Sequence, residues 1–584
     1  MPKGFIYHIK EENMKKAKKI LAALLSTTMV VSMLAGCGGS GSGESAGGSS
    51  SSDDVVTLTV FSQLANFSGE QTGWFAQVLK EKFNVEIIIV PDSSGVYDTR
   101  MEAGDLGDIV VWGADGDQYK NAIEAGLLLD WEDDDLLQDY GQDILNYFPN
   151  ALEKNRSISP DGKIYGIGHA IAGTDQDHQD FMYSWDLRWD LYAELGYPEV
   201  KDLDDYLDMF IAMKELCPTD DNGEETYAFS LWPDWDGNMV MYVKAMVTAY
   251  YGYDELGIGN FDPITGTFYG CLDDNSPYIE MLEFFNKLYR NNLLDPDSMT
   301  QTYGEMAEKL ESGGIFASIF NYAGSAGYNT EAHISENKYM TAMAPEEANP
   351  IVYGLSTLGG NRVWSIGSKT DYPELCMEII NWLSTPEGYM ISEYGPKGVI
   401  WDYDEDGKTY FTEFGKSVRN DPTGLDLSTG SDYSGFYNDG RQQINNITWA
   451  ADASNPDSNG ETFNSAYWAS ELAEPSNDCE ADWREYNNCL TVNEYMENRG
   501  LYTVMPETTY SEGSKSDELK LTWEQVTKTI VDYSWRAIYA KNDGEFEYQV
   551  NQMITDANRY GYEDCLEWSL QEAAVKYALI QDLK

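Results

Sequence analysis

The sequence predicts a two-lobed α/β protein, and three observations carry that prediction. The chain has 584 residues, more than one compact core usually holds. From Val55 onward, short β-rich runs alternate with helical spacing, the pattern of a parallel sheet covered by helices. Hydrophobic residues make up 42% and aromatics 13%, enough for sizeable cores and too much for a disordered chain.

The elements follow in order. Residues 55–61 form a β-branched run, 73–83 have apolar residues at helical spacing, and 85–90 read as a buried strand. A short helix is predicted over 96–103, a third strand over 108–112, and a helix over 118–125. Ligands of such sheets collect beyond the carboxyl ends of the strands, here 63–68 and 112–117. Further helices are predicted over 185–195, 278–291, 303–310, 373–383, 523–539 and 562–583, with a strand over 315–320. Residues 402–520, rich in Gly, Asn, Asp and Ser, read as mostly loop, and there is no internal repeat.

Charge narrows the partners. Lys and Arg number 38 against 99 Asp and Glu, for a net charge of −61, which repels nucleic acid. Lys15, Lys16, Lys18 and Lys19 precede an apolar stretch over 20–34, too short to span a bilayer and of signal-peptide length. It ends in Leu34-Ala35-Gly36-Cys37, which resembles a bacterial lipobox, with Cys37 taking the diacylglycerol. This gives a signal peptide over 1–36, with residues before Met14 an over-long start, and a Gly/Ser-rich tether over 37–54. The tether contains Gly43-Glu44-Ser45-Ala46-Gly47, but a nucleophile elbow needs a strand before it and a helix after it. No second apolar segment of spanning length follows, so the expectation is a soluble body held by lipid on the outer face of the membrane.

Several distinct blocks then follow one another along the chain. They are Gly104-Asp105-Leu106-Gly107-Asp108-Ile109, Gly126-Leu127-Leu128-Leu129-Asp130, Ile164-Tyr165-Gly166-Ile167 and Tyr183-Ser184-Trp185-Asp186-Leu187-Arg188-Trp189-Asp190. Leu195-Gly196, Leu203-Asp204-Asp205-Tyr206 and a block from Tyr372-Pro373-Glu374 to Tyr394-Gly395 follow. Together they resemble extracellular solute-binding proteins of ABC transporters, in the large lipoprotein branch associated with sugar uptake; after Lys408 the likeness fades. The resemblance implies a periplasmic-binding-protein-like (type II) fold, with hinge strands between two discontinuous lobes that close on a ligand. Lobe I would comprise 55–168 and about 345–470, lobe II 169–344 and about 471–584. It further implies a monomer that delivers its solute to permease subunits encoded elsewhere.

Catalytic readings find little support. The four His (His8, His169, His178, His333) make no zinc motif, no Cys-x-x-Cys exists, and Gly415-Lys416-Ser417 lacks the first glycine of a phosphate loop. Carboxylates are plentiful enough that chance pairs mean nothing. The expectation is a binder without a required cofactor. An oligosaccharide is the first ligand class, with a peptide-binding lipoprotein, a surface carbohydrate-active enzyme and an adhesin as alternatives.

Sugar rings stack their apolar C–H faces on Trp or Tyr and need polar partners for their hydroxyls. Candidate ligand-binding residues in predicted loops are Asn66, Phe67, Trp112, Asp115, Trp232, Trp235, Asn321, Tyr322, Arg362, Trp364 and Trp449. Trp232-Pro233-Asp234-Trp235-Asp236-Gly237 is the most sugar-like cluster, although core packing is the commoner fate of any one Trp. The acidic chain favours a neutral ligand.

Cys479 and Cys489 are close enough in sequence to close a disulfide loop, the alternative being six free thiols at Cys217, Cys271, Cys376, Cys479, Cys489 and Cys565. Asp402, Asp404, Asp406, Lys408 and Glu413 occupy the ligand spacing of a calcium loop, with Gly407 at the sharp turn. A plain Asp-Gly hairpin explains the same segment. Alginate-binding relatives imply a second calcium loop over 218–227, where Pro218 and Thr226-Tyr227 depart from the ligand pattern.

Overall fold

The computed structural model describes residues 55–93, 95–274 and 276–583. The segments expected to be signal peptide and tether, with Cys37, lie outside them. Among the described residues no helix is long and apolar enough to cross a membrane.

The first strands form where β-branched residues run uninterrupted. Val56–Ser62 pairs in parallel with Val85–Pro91 on one side and Ile109–Trp112 on the other. The helices Gly73–Phe83 and Val96–Ala103 connect them, with Gly104 (φ 71°) ending the second helix in a left-handed turn. The sheet is not wholly parallel, as the alternation alone suggests. Val363–Ile366 joins it antiparallel to both Ile109–Trp112 and Gly166–Gly168, and Gly69–Glu70 adds an antiparallel edge. Val363–Ile366 arrives from a distant part of the chain, so no crossover helix fixes its direction.

A second, three-stranded antiparallel sheet places Tyr183–Arg188 between Ala317–Phe320 and Met340–Ala342. The helix predicted over 185–195 is thus corrected: it begins only at Trp189 and ends at Glu194. Tyr183, Trp185 and Leu187 join the apolar core, while Ser184 and Asp186 point into a cavity on the other face. That is a period of two, and the helical spacing beyond Trp189 masks it.

Apolar side chains gather into two large cores. One draws on residues from Leu58 to Ala172 and from Trp364 to Trp468. The other draws on Phe181 to Val352 and Cys479 to Ile580. A smaller cluster around Phe61, Trp112 and Tyr119 covers the opposite face of the six-stranded sheet. Two crossing segments pair with each other: Ala172 N–H donates to Ser356 O (2.9 Å), Leu355 N–H to Asp177 O (2.8 Å) and Gln179 N–H to Tyr353 O (2.9 Å). The C-terminal part is three long helices, Asp517–Ile538, Asp543–Tyr560 and Tyr562–Asp582, of which only the first and last were legible as helix.

Candidate ligand-binding site

The exposed aromatic surface is built on the turn after Leu231. Trp232 is buried at 1% exposure, whereas Trp235 is 48% exposed. The carboxylates between and after them hold the turn. Asp234 Oδ2 accepts the N–H of Tyr303 (2.8 Å), where the helix Tyr303–Glu311 starts behind a Thr302–Glu305 capping box. Asp236 accepts from Met241 N–H (2.7 Å) and from Trp535 Nε1–H (2.7 Å), and burial pushes its pKa up to about 6. These anchors bring Trp235 onto Tyr303, ring centroids 4.9 Å apart at 25°, with Trp232 edge-on beneath at 5.4 Å. Tyr322, leaving the strand Ala317–Phe320, lies 6.1 Å from Trp235 and stacks on Phe320 at 5.0 Å. The result is a platform of Trp235, Tyr303 and Tyr322 over a buried floor of Trp232, Tyr242 and Phe320.

Polar groups flank it. Glu255 and Tyr183 interact electrostatically, and Glu255 also acts on Tyr322. Burial pushes the Glu255 carboxyl up, opposed by Lys244 at 2.6 Å. Tyr353 OH donates to Asp254 (3.0 Å), whose other oxygen pairs with Lys576 at 2.5 Å.

A second polar rim lies at the carboxyl ends of Val56–Ser62 and Ile109–Trp112. Ser62 Oγ accepts from Leu64 N–H (3.2 Å) and Ala65 N–H (3.1 Å), shaping the loop that carries exposed Asn66 and half-buried Phe67. Gln63 joins the two loops, accepting Gly113 N–H (2.9 Å) and donating to Gln118 (2.8 Å). Asp115 pairs with Lys154 at 3.4 Å, and Lys154 also donates to Gly359 O (3.2 Å) and Gly360 O (3.1 Å). His169 packs against Gly360, and its pKa is pushed down to about 4 by burial, then by Arg362 and Lys154.

Of the sequence candidates, Trp232, Trp235 and Tyr322 are brought together, while Asn66, Phe67, Asp115 and Arg362 belong to the rim. Asn321 instead lines a cavity of about 260 Å³ beside Asp180, Ser184, Asp186 and Tyr467. Trp112, Trp364 and Trp449 are corrected, being fully buried. Trp112 donates to Ser365 Oγ (3.2 Å), Trp364 sits inside a central strand, and Trp449 donates to Ser384 O (2.9 Å) against Phe148 at 4.7 Å. Tyr303, Tyr183, Lys154 and His169 were missed. Tyr303 reaches Trp235 across a long stretch of chain, and the only local signal for it is the capping box that starts its helix.

Cys479 and Cys489 are both free and buried, and the disulfide reading is corrected. The helix Asp478–Asn487 separates them, and at ~1.5 Å per residue their Cα atoms stand roughly 15 Å apart, where a bridge tolerates about 7 Å.

Residues 402–413 form a hairpin, Trp401–Tyr403 against Thr409–Phe411, not a helix-flanked loop. Asp404 Oδ1 closes its turn by accepting Asp406 N–H (2.9 Å) and Lys408 N–H (2.8 Å), and Asp402 accepts Tyr403 N–H (2.8 Å). Glu413 is 95% exposed and pairs with Lys416 at 3.2 Å. The loop at 218–227 is equally self-satisfied: Asp220 accepts Asn222 N–H, Glu224 N–H and Ser312 Oγ–H, while Asp221 pairs with Lys338 at 2.7 Å and His333 at 3.0 Å. Among the described residues no three His, Cys, Asp or Glu side chains are placed together to hold a metal ion.

Solved structures similar to the chain include the following three. The alginate-binding protein AlgQ2 without calcium is 17% identical, with 90% of this chain and 99% of that one covered and a TM-score of 0.41. The N-glycan transport solute binding protein of Streptococcus pneumoniae is 15% identical, with 90% and 99% covered and a TM-score of 0.41. An extracellular solute-binding protein from Bifidobacterium longum subsp. infantis is 13% identical, with 91% and 100% covered and a TM-score of 0.47. No curated protein matches the chain. The bacterial extracellular solute-binding protein family matches residues 74–395, more than half of the sequence, including the platform turn and the rim loop at Asp115. The chain belongs to that family of bacterial extracellular solute-binding proteins.

Proposed function

We propose that the protein captures a neutral oligosaccharide between the aromatic platform and the polar rim, and delivers it to the permease of an ABC importer by closing on its hinge. It acts as a binder and not as an enzyme. The observation that carries this reading is Trp235. A half-exposed indole backed by Tyr303, in a turn held by Asp234 and Asp236, offers a rigid apolar face at little entropic cost on binding, which suits the C–H face of a sugar ring. The paired crossing segments around Ala172–Gln179 and Tyr353–Ser356 supply the hinge. Three of the cations favour a neutral ligand. Lys244, Lys576 and Lys154 are each matched by Glu255, Asp254 and Asp115, so a uronate would have to displace an existing pair. The lipobox sequence supports attachment through Cys37, which tethers the binder within reach of its permease.

The test is calorimetry against neutral oligosaccharides, polyuronates and peptides. Neutral oligosaccharides are expected to bind, with affinity falling when Trp235 is removed. A panel in which only peptides bind overturns the sugar reading, and tight polyuronate binding in physiological salt overturns neutrality.

A further inference from the structure

The extracellular family places the chain where disulfides persist. Among the described cysteines, Cys479 and Cys489 are held apart by their helix, Cys376 sits in the other core beside Thr370 Oγ1 at 3.9 Å, and Cys217 faces Thr219 O at 3.5 Å. Cys271 and Cys565 are different, both 0% exposed and in the same core.

The last helix presents Tyr562, Cys565 and Ser569 on one face, at i, i+3 and i+7. Both outer members bond to the same small antiparallel sheet. Tyr562 OH accepts Leu272 N–H (3.2 Å), and Ser569 Oγ accepts Ile258 N–H (3.2 Å). Cys271 lies between those two anchors, its own N–H donating to Ile258 O (3.0 Å). The helix residue midway between Tyr562 and Ser569 is Cys565; both thiols are free in this structure, and Cys565 acts electrostatically on Cys271 across the contact.

We propose that Cys271 and Cys565 are joined by a structural disulfide in the exported protein, fastening the C-terminal helix to the sheet at 254–270. The step is thiol–disulfide exchange. A small-molecule or protein disulfide outside the cell accepts two electrons and leaves as two thiols; the Cys271 and Cys565 thiols lose their two protons, and one S–S bond forms. Burial pushes both thiols up, that of Cys565 to about 11, which makes the thiolates scarce in the folded protein. The exchange therefore belongs to the stage before the helix docks.

The test refolds the full chain in oxidised glutathione, alkylates the remaining thiols under denaturing conditions and maps the peptides by mass spectrometry. A peptide pair linking Cys271 to Cys565 is expected, two hydrogen masses below the sum of the reduced peptides. The crosslink closes a long loop, so the oxidised protein should melt a few degrees above the reduced protein, a gain that Cys376→Ser keeps and Cys565→Ser abolishes. Full alkylation of both cysteines, or a link between any other pair, overturns the proposal even if Cys565→Ser fails to fold, because the mapping uses the unaltered chain.

Discussion

Replacing Trp235 with alanine separates a binding platform from a packing residue. The ring is 48% exposed, and a Trp presents at most about 250 Å², so roughly 120 Å² remains available. A ligand covering somewhat over half of that buries ~70 Å², worth ~2 kcal/mol at about 25 cal/mol per Å². At 1.4 kcal/mol per tenfold, Trp235→Ala should weaken binding about 20-fold. The fold should barely notice, because Tyr303 and Trp232 lose only one neighbour at the surface. Trp232→Ala is the control: 1% exposed beneath the platform, it should lose about 3–5 kcal/mol of stability. The assay is isothermal calorimetry with a bound oligosaccharide, with thermal melts of both variants alongside. An unchanged affinity for Trp235→Ala, or a melting loss as large as that of Trp232→Ala, would refute the assignment.

Trp449→Ala should destabilise by about 3–5 kcal/mol and leave the affinity of the surviving folded protein within a few-fold, since its indole is enclosed by Phe148 and Phe463; a large affinity loss with normal melting would contradict this. Asp236 has a folded pKa raised to about 6, so the folded state holds its proton to higher pH than the unfolded state, and stability falls as pH rises from about 4 to 6. The stability difference between wild type and Asp236→Asn should therefore shift against wild type by up to ~3 kcal/mol over that window, and a pH-independent difference refutes it. Calcium and EDTA should leave the melting temperature unchanged, because Asp404 Oδ1 is taken up by its own turn; a calcium-dependent rise that Asp404→Ala abolishes would restore the metal reading.

What the sequence made legible follows from how locally each feature is encoded. Val85–Pro91 and Ile109–Trp112 are runs rich in β-branched residues, the first buried at alternate positions and the second along its whole length, and such runs name themselves. Tyr183–Arg188 does not, because its strand passes directly into a helix at Trp189 and the combined apolar spacing fits a single longer helix. The loop-rich stretch around Trp449 hid a second difficulty. Its indole lies in irregular chain, where an exposed aromatic is expected, yet it fills the core between Phe463 of the same stretch and Phe148, which is far from it in sequence.

The Trp-Pro-Asp-Trp turn shows where sequence reasoning stops at the site itself. Two indoles beside two carboxylates look like a sugar pocket complete in six residues, aromatic faces with hydroxyl acceptors alongside. In the folded protein the division of labour is different. One indole is floor and one is surface, and the carboxylates mainly serve the fold, Asp234 holding the start of the Tyr303 helix and Asp236 tying the turn to Met241 and Trp535. Most hydroxyl partners must then come from other parts of the chain, and the polar groups at hand are the Tyr322 hydroxyl beside the platform and Gln63, Asn66 and Asp115 on the rim. A platform on one element and hydrogen-bonding groups on another can satisfy a ligand only when both are engaged at once. That requirement couples binding to closure: contacts made to both surfaces stabilise the closed arrangement, and contacts made to one do not.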